Sequence, residues 1–388
     1  RVQSLALPMT IEMSKKSRAL QEAGHDIISL SLGEPDFDTP DFAKEAGIEG
    51  ITLNFSHYMP VPGYADLRQA ICTKFHRDNG LTYSPNEIIV STGAKQTIAN
   101  LMMALVNPGD EVIIPAPYWV SYADLAEFVG GVVVSPKAGL DQNFKITPAQ
   151  LEASISEKTK VLIFSSPNNP SGAMYSGDEL EGLAAVLRKH PQIWVISDEI
   201  YEYIHYDVKH VSMASLPGMW ERTATVNGLS KGFAMTGWRL GFMGAPAVLA
   251  DACEKIQSQI TSGTSSIAQR AAIAAVLAGP EPVEYMRQAF VKRRSLLIDG
   301  LKGAQGLGVL APEGAFYLFV DASAYLSPSH PTALDLCMVL LEGGVAAVPG
   351  EAFGLDGYIR FSYAASESDL EKAAERIVRT FKGLKQAS

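Results

Sequence analysis

The sequence predicts an α/β protein with a mostly parallel sheet covered by helices. Two observations carry that prediction. Short apolar runs rich in β-branched residues recur along the chain: EIIV (87–90), EVIIP (111–115), VLIFSS (161–166), IWVIS (193–197) and TATVN (223–227). Runs of this kind are strands buried on both faces, which is the situation of a parallel sheet. The runs also alternate with helical patterns, as crossover connections require. The chain carries no repeat, low-complexity tract or long linker.

The elements follow in order. GYADLRQAICTKFHRDNG (63–80) reads as a helix closed by Asn79-Gly80. The stretch near 283–300, with Arg and Lys on one side, reads as another helix, connecting the sheet region to a C-terminal part. That part has its own strand signals in GAFYLFVD (314–321), GVAAVPG (344–350) and YIRFSYA (358–364). The expected division is a large domain over residues 40–285. A smaller α/β domain would combine residues 1–39 with 286–388.

The bulk numbers exclude several classes. The 388 residues suffice for two or three domains and a large core. A net charge of -10 leaves no general basic footprint for nucleic acid, yet permits a local positive pocket for a small anion. Cys72, Cys253 and Cys337 are far apart and form no CxxC, which suits a reducing compartment. No apolar run reaches membrane-spanning length and no secretory leader is seen, so the expectation is cytoplasmic.

The strand ends matter most. EIIVS leads into TGAKQ, EVIIP into APYW, VLIFSS into PNNPSG, IWVIS into DEIYE, and TATVN into GLSK. Ligands of open α/β sheets bind outside the carboxyl ends of the strands. These five ends would therefore bring Lys95, Trp119, Asn169, Asp198, Tyr201 and Lys231 to one pocket.

Those residue types suggest a chemistry. TGAKQT (92–97) follows a strand and opens a helical pattern, so its N–H groups suit a phosphate. It is not a Walker loop, and no GxGxxG follows a strand. His205 and His210 are five apart, the wrong spacing for two ligands on a helix face, so no metal site is expected. A lysine in an apolar pocket sheds its proton, and the free amine forms a Schiff base. An aspartate facing a pyridine nitrogen keeps that ring an electron sink. Trp119 would stack on the ring, Asn169 and Tyr201 would bond its phenolic oxygen, and Arg239 would clamp a phosphate. The run NGLSKGFAMTGWRLGF (227–242) then explains itself. Its two isolated cations, Lys231 and Arg239, would hold the two ends of pyridoxal 5′-phosphate. Glu199 and Glu202 read as structural or surface charges.

The motifs SLGEPDFDTP, STGAKQ, PAPYWVSY, SPNNPSG, SDEIYE, SKGFAMTGWRLG, GAFY and IRFSYA span nearly the whole chain. In this order they resemble the class I pyridoxal-phosphate aminotransferases of fold type I, especially the bacterial aspartate aminotransferase subgroup Ib. The resemblance implies a mostly parallel seven-stranded sheet flanked by helices. It implies Lys231 as Schiff-base lysine and proton shuttle, with Asp198 as partner of the ring nitrogen and Tyr201 as ligand of the phenolic oxygen. Ala94 and Lys95 would offer N–H groups to the phosphate. Tyr58 in SHYMPVPG would reach that phosphate from the other subunit, making a homodimer with shared sites. Arg360 and the backbone of Gly33 would take the substrate α-carboxylate, and the Lys95 side chain its distal carboxylate.

The implied reaction is ping-pong transamination between amino acids and 2-oxo acids, most simply aspartate with 2-oxoglutarate. One departure bears on specificity. Related enzymes that accept prephenate carry a lysine shortly after an RVQ-like stretch. Here RVQSLALPMT has Ala6 or Leu7 at that place, while Thr10 matches a substrate-lining threonine. Aromatic amino acids or prephenate remain the alternative substrates, and a β-lyase on the same fold the alternative reaction. A regulator that fuses this fold to a DNA-binding helix-turn-helix is disfavoured, because about thirty residues precede SLGEP.

Overall fold

The structure, a computed structural model of the chain, describes residues 9–384. In chain order its strands are β1 (Ile28–Ser29), β2 (Ile88–Ser91), β3 (Glu111–Ile113), β4 (Val132–Val134), β5 (Thr159–Ser165), β6 (Trp194–Asp198), β7 (Thr223–Gly228) and β8 (Gly241–Gly244). They continue with β9 (Gly308–Val309), β10 (Tyr317–Asp321), β11 (Val345–Ala346), β12 (Val348–Pro349) and β13 (Tyr358–Ser362).

A seven-stranded sheet has the order β2-β8-β7-β6-β5-β3-β4. Strand β8 is antiparallel to β2 and β7, and every other pair is parallel. The absence of polar alternation now has a physical cause. Val161 and Ile163 of β5 enter one core with Ile98 and Leu101 of the helix Ala94–Leu105. Leu162 and Phe164 enter another with Leu180 and Leu183 of the helix Gly177–Leu187. Both faces are dry, and each such side chain contributes about 1.5–3 kcal/mol of burial.

A second, antiparallel sheet has the order β12-β13-β10-β9. Its Leu318, Val320, Ile359 and Phe361 pack with Phe290 and Leu297 of the helix Glu284–Leu301 and with Leu370 and Ile377 of the helix Glu367–Gly383. The first expected helix runs Ala65–Asn79 and ends on Gly80 at φ 66, the left-handed cap that glycine provides. Among the described residues no helix is long and apolar enough to cross a membrane.

Candidate active site

The strand register assembles the site. Ser165 pairs with Asp198 and Asp198 with Val226, so the carboxyl ends of β5, β6 and β7 open on one side. Strand β8 runs the other way and begins where they end. Gly241 pairs with both Ser91 and Gly228, which brings Arg239 to the start of the helix Ala94–Leu105. A cavity of about 510 Å³ opens there. Its wall includes all six residues expected from the strand ends, Lys95, Trp119, Asn169, Asp198, Tyr201 and Lys231, together with Gly33, Ala94, Arg239 and Arg360.

Lys231 follows β7 and donates its ammonium to the Gly33 carbonyl. Burial lowers its pKa to about 8. Glu34 and Asp198 oppose that shift, while Arg360 and Arg239 reinforce it. Asp198 ends β6 and is buried. Its Oδ2 accepts the Tyr122 hydroxyl at 2.5 Å, and its Oδ1 accepts the Ile200 N–H at 3.2 Å. Burial raises its pKa to about 6, and the Tyr122 bond restrains the rise.

Tyr201 and Tyr317 share a hydroxyl–hydroxyl bond of 2.8 Å. Arg360 donates from Nη1 to Asn169 Oδ1 at 2.9 Å and from Nη2 to the Ser31 carbonyl at 2.7 Å. Its guanidinium lies 4.5 Å from the Tyr317 ring centroid, and its buried Nε has no hydrogen-bond partner. The Lys95 ammonium sits 4.8 Å from the Trp119 ring centroid. Burial, then the Arg239 charge, lowers its pKa.

An anion seat is built into the backbone. Gly93 precedes the helix Ala94–Leu105 at φ 82, and a Cβ there would lie 2.4 Å from Arg239 Nη2. A Cβ on Gly241 would lie 2.2 Å from the Ala94 nitrogen. Two glycines thus let a guanidinium and a helix N-terminus converge, the arrangement that suits a phosphate. A depressed amine, a buried carboxylate and this seat fit pyridoxal 5′-phosphate.

Tyr58, Glu199 and Glu202 stand apart from this cavity. Tyr58 is fully exposed and does not line this chain's cavity. Glu199 and Glu202 are not surface charges: they are 1% and 4% exposed and meet His210. The helix-face spacing rule passed over that meeting because His210 lies in a loop after β6. Ala6 and Leu7 lie outside the described residues, and so does the side chain of Thr10. Sequence reasoning also missed Tyr122 and Tyr317 as cavity residues. Their signal was present: both end motifs of the site, PAPYWVSY and GAFY.

An amine that sheds its proton near neutral pH, set across a cavity from a buried carboxylate and an anion seat, defines an α/β enzyme that handles amines through a phosphorylated cofactor. The chain matches the family described as Aminotransferase class I and II over residues 25–377, and it belongs to that family. It is a pyridoxal-phosphate-dependent aminotransferase. It is 46% identical to the bifunctional aspartate aminotransferase and glutamate/aspartate-prephenate aminotransferase of Petunia hybrida, over 99% of this chain and 83% of that one. The aspartate aminotransferase structure from Rhizobium meliloti superposes with a TM-score of 0.95 at 41% identity, covering 99% of this chain and 98% of the other. The Thermus thermophilus aspartate aminotransferase with maleate gives 0.93 at 41% identity, with 98% of each chain covered.

Proposed function

We propose that this enzyme moves the amino group of aspartate to 2-oxoglutarate. The observation that carries this reading is a pair of separate cations in one cavity, Arg360 and Lys95. Arg360 is buried with a free Nε, and Lys95 has no ion pair among the described residues. Two cations at two places suit a substrate with two carboxylates. The relatives support it: their names specify aspartate, and maleate is a dicarboxylate.

Bound pyridoxal 5′-phosphate supplies an aldehyde that bonds to an amine and a ring that draws electrons from the substrate Cα. The chain's residues supply the rest. Arg239 and the N–H groups of Ala94 and Lys95 hold the phosphate. Asp198 pairs with the ring nitrogen, Tyr201 and Asn169 bond the phenolic oxygen, and Trp119 covers the ring. Arg360 and the Gly33 backbone take the α-carboxylate, and the Lys95 side chain takes the distal one. Lys231 removes the proton at Cα. Its pKa of about 8 matters here. Roughly one amine in ten is neutral at pH 7, against about one in three thousand at the ordinary lysine value. General base catalysis contributes roughly 10²–10⁴-fold.

A second acceptor, prephenate, is favoured by one observation. Lys15 and Arg18 of the helix Met9–Glu22 line the mouth of the cavity and are exposed. They offer positive charge to a carboxylate farther from the reacting carbon. The working unit is a homodimer. Tyr58, Ile48, Ile51 and Leu53 are exposed on one stretch of chain, and a second copy would cover them. The large domain covers 40–285, and 1–39 with 286–388 form the small one. Three free buried cysteines suit the cytoplasm.

The test is the near-visible spectrum of the cofactor-loaded protein before and after adding L-aspartate alone. Loss of the cofactor's yellow band, with formation of the amine form and oxaloacetate, is the expected result. A band that persists with aspartate but is lost with phenylalanine would overturn the substrate assignment.

A further inference from the structure

The acids beside the cofactor residues are not idle. Glu202 is ion-paired: one oxygen meets the Lys74 ammonium, and the other accepts Asn79 Nδ2 at 2.9 Å. Lys74 also donates to Asn79 Oδ1 at 2.7 Å. Glu199 is only half matched. Its Oε1 accepts the hydroxyls of Ser197 and Ser212, each at 2.8 Å. Its Oε2 has no hydrogen-bond partner and lies 3.6 Å from His210 Nε2, which has none either. The Ser166 backbone faces the His210 ring as a polar neighbour, and with Nε2 unengaged Nδ1 is the nitrogen open to it. A neutral ring that donates through Nδ1 leaves Nε2 a bare acceptor. An ionised Glu199 would set lone pair against lone pair. One proton on Oε2 removes the conflict.

We propose that Glu199 is kept as a neutral carboxylic acid whose proton bridges to His210, and that this bridge positions the two strand ends that carry the cofactor residues. One end is that of β6, with Asp198, Glu199 and Tyr201. The other follows β5, where Ser166 lies three residues before Asn169 and its N–H bonds the Asp198 carbonyl at 3.3 Å. The positioning part rests on the cofactor roles given above to Asp198, Tyr201 and Asn169. Glu199 and His210 are therefore positioning residues.

The surrounding charges agree. Lys74 and Asp78 face the cluster from the helix Ala65–Asn79, Glu202, Tyr203 and His205 from the turn after β6, and Tyr83 from the loop before β2. Lys74 is spent on Glu202, and among the described residues no Lys or Arg pairs with Glu199. Burial, then the Glu202 charge, raises Glu199 to about 8, and burial lowers His210 to about 4. The ligand atoms of Glu199, Glu202 and His210 lie within 4.8 Å of one another, close enough for a metal. The Lys74 ammonium already stands as the cation there.

The sign follows from the raised pKa. The folded protein holds a proton that the unfolded chain releases near 4.5. The stabilising contribution is full below that value and is lost as pH rises through about 8. Glu199→Gln mimics the neutral acid, because its amide donates to Nε2 and its carbonyl accepts the serines. In urea denaturation of the cofactor-free protein, the stability of E199Q relative to the parent should grow steadily from about pH 5 to about pH 8 and level off above it. A midpoint that falls near pH 6 would overturn the neutral-acid assignment. So would an imidazolium signature for His210 at pH 7 in ¹⁵N NMR, where a neutral ring protonated at Nδ1 is expected. For positioning, His210→Ala should raise the cofactor Kd on the order of tenfold, while E199Q keeps it within about twofold. An unchanged Kd in H210A would overturn the positioning role alone. The denaturation and NMR results do not depend on what Asp198, Tyr201 and Asn169 bind, so they separate this inference from the proposed function.

Discussion

Replacing Tyr122 with phenylalanine isolates what keeps Asp198 ionised. Burial pushes this carboxyl up to about 6, and the strongest force opposing the rise is the Tyr122 hydroxyl at 2.5 Å. The Ile200 N–H and Lys231 oppose it as well. A hydrogen bond to a charged group is worth about 1.5–3 kcal/mol. One pKa unit is about 1.4 kcal/mol. Losing the hydroxyl should therefore raise Asp198 by roughly one to two units, into the range of about 7 to 8. Roughly one Asp198 in ten is protonated at pH 7 in the parent, and at least about half would be in the variant. A protonated Asp198 cannot ion-pair with a ring nitrogen. The assay is kcat/KM for aspartate against pH, with cofactor Kd measured over the same range. The acid limb should move up by roughly one to two pH units, with the alkaline plateau nearly retained. An acid limb that stays in place would refute the reasoning, and a uniform loss at every pH would assign Tyr122 to packing instead.

Two further outcomes test the carboxylate and phosphate ends of the cavity. Arg360→Lys loses the planar fork that reaches Asn169, Ser31 and a carboxylate together; kcat/KM for aspartate should fall on the order of 100-fold with cofactor affinity nearly unchanged. Gly241→Ala puts a methyl 2.2 Å from the Ala94 nitrogen; titration should show a cofactor Kd raised about tenfold, and denaturation a loss of about 1–3 kcal/mol.

The parts of the fold legible in the sequence were those with one dominant cause. Strands β5, β6 and β7 are buried on both faces, so their apolar runs stood out. Strand β8 has glycine at both ends, so it shows no strong strand signal. The strand-end rule gathered six cavity residues because parallel strands share a direction. Arg239 needed something else, the reversal of β8, which no local pattern announces. Tyr122 was hidden for another reason. Its hydroxyl serves Asp198 from a helix that begins at Ser121, and buried tyrosines are common core residues. Glu199 was hidden most deeply, because its meaning depends on a histidine brought in by a loop.

Arginine and lysine divide the work in this cavity by one difference in chemistry. Burial lowers the pKa of Lys231, Lys95 and Arg360 alike. A guanidinium starts so high that burial leaves it charged, whereas an ammonium can reach the working pH. In the proposed function two of the sites that must keep a charge, Arg360 for a carboxylate and Arg239 for a phosphate, are accordingly arginines. The site that would lose one to act as the proposed base is Lys231. The charges of both arginines also push Lys231 further down. The eight-residue step from Lys231 to Arg239 thus places a persistent cation beside a transient one, and exchanging the two residue types would disable both ends of the site.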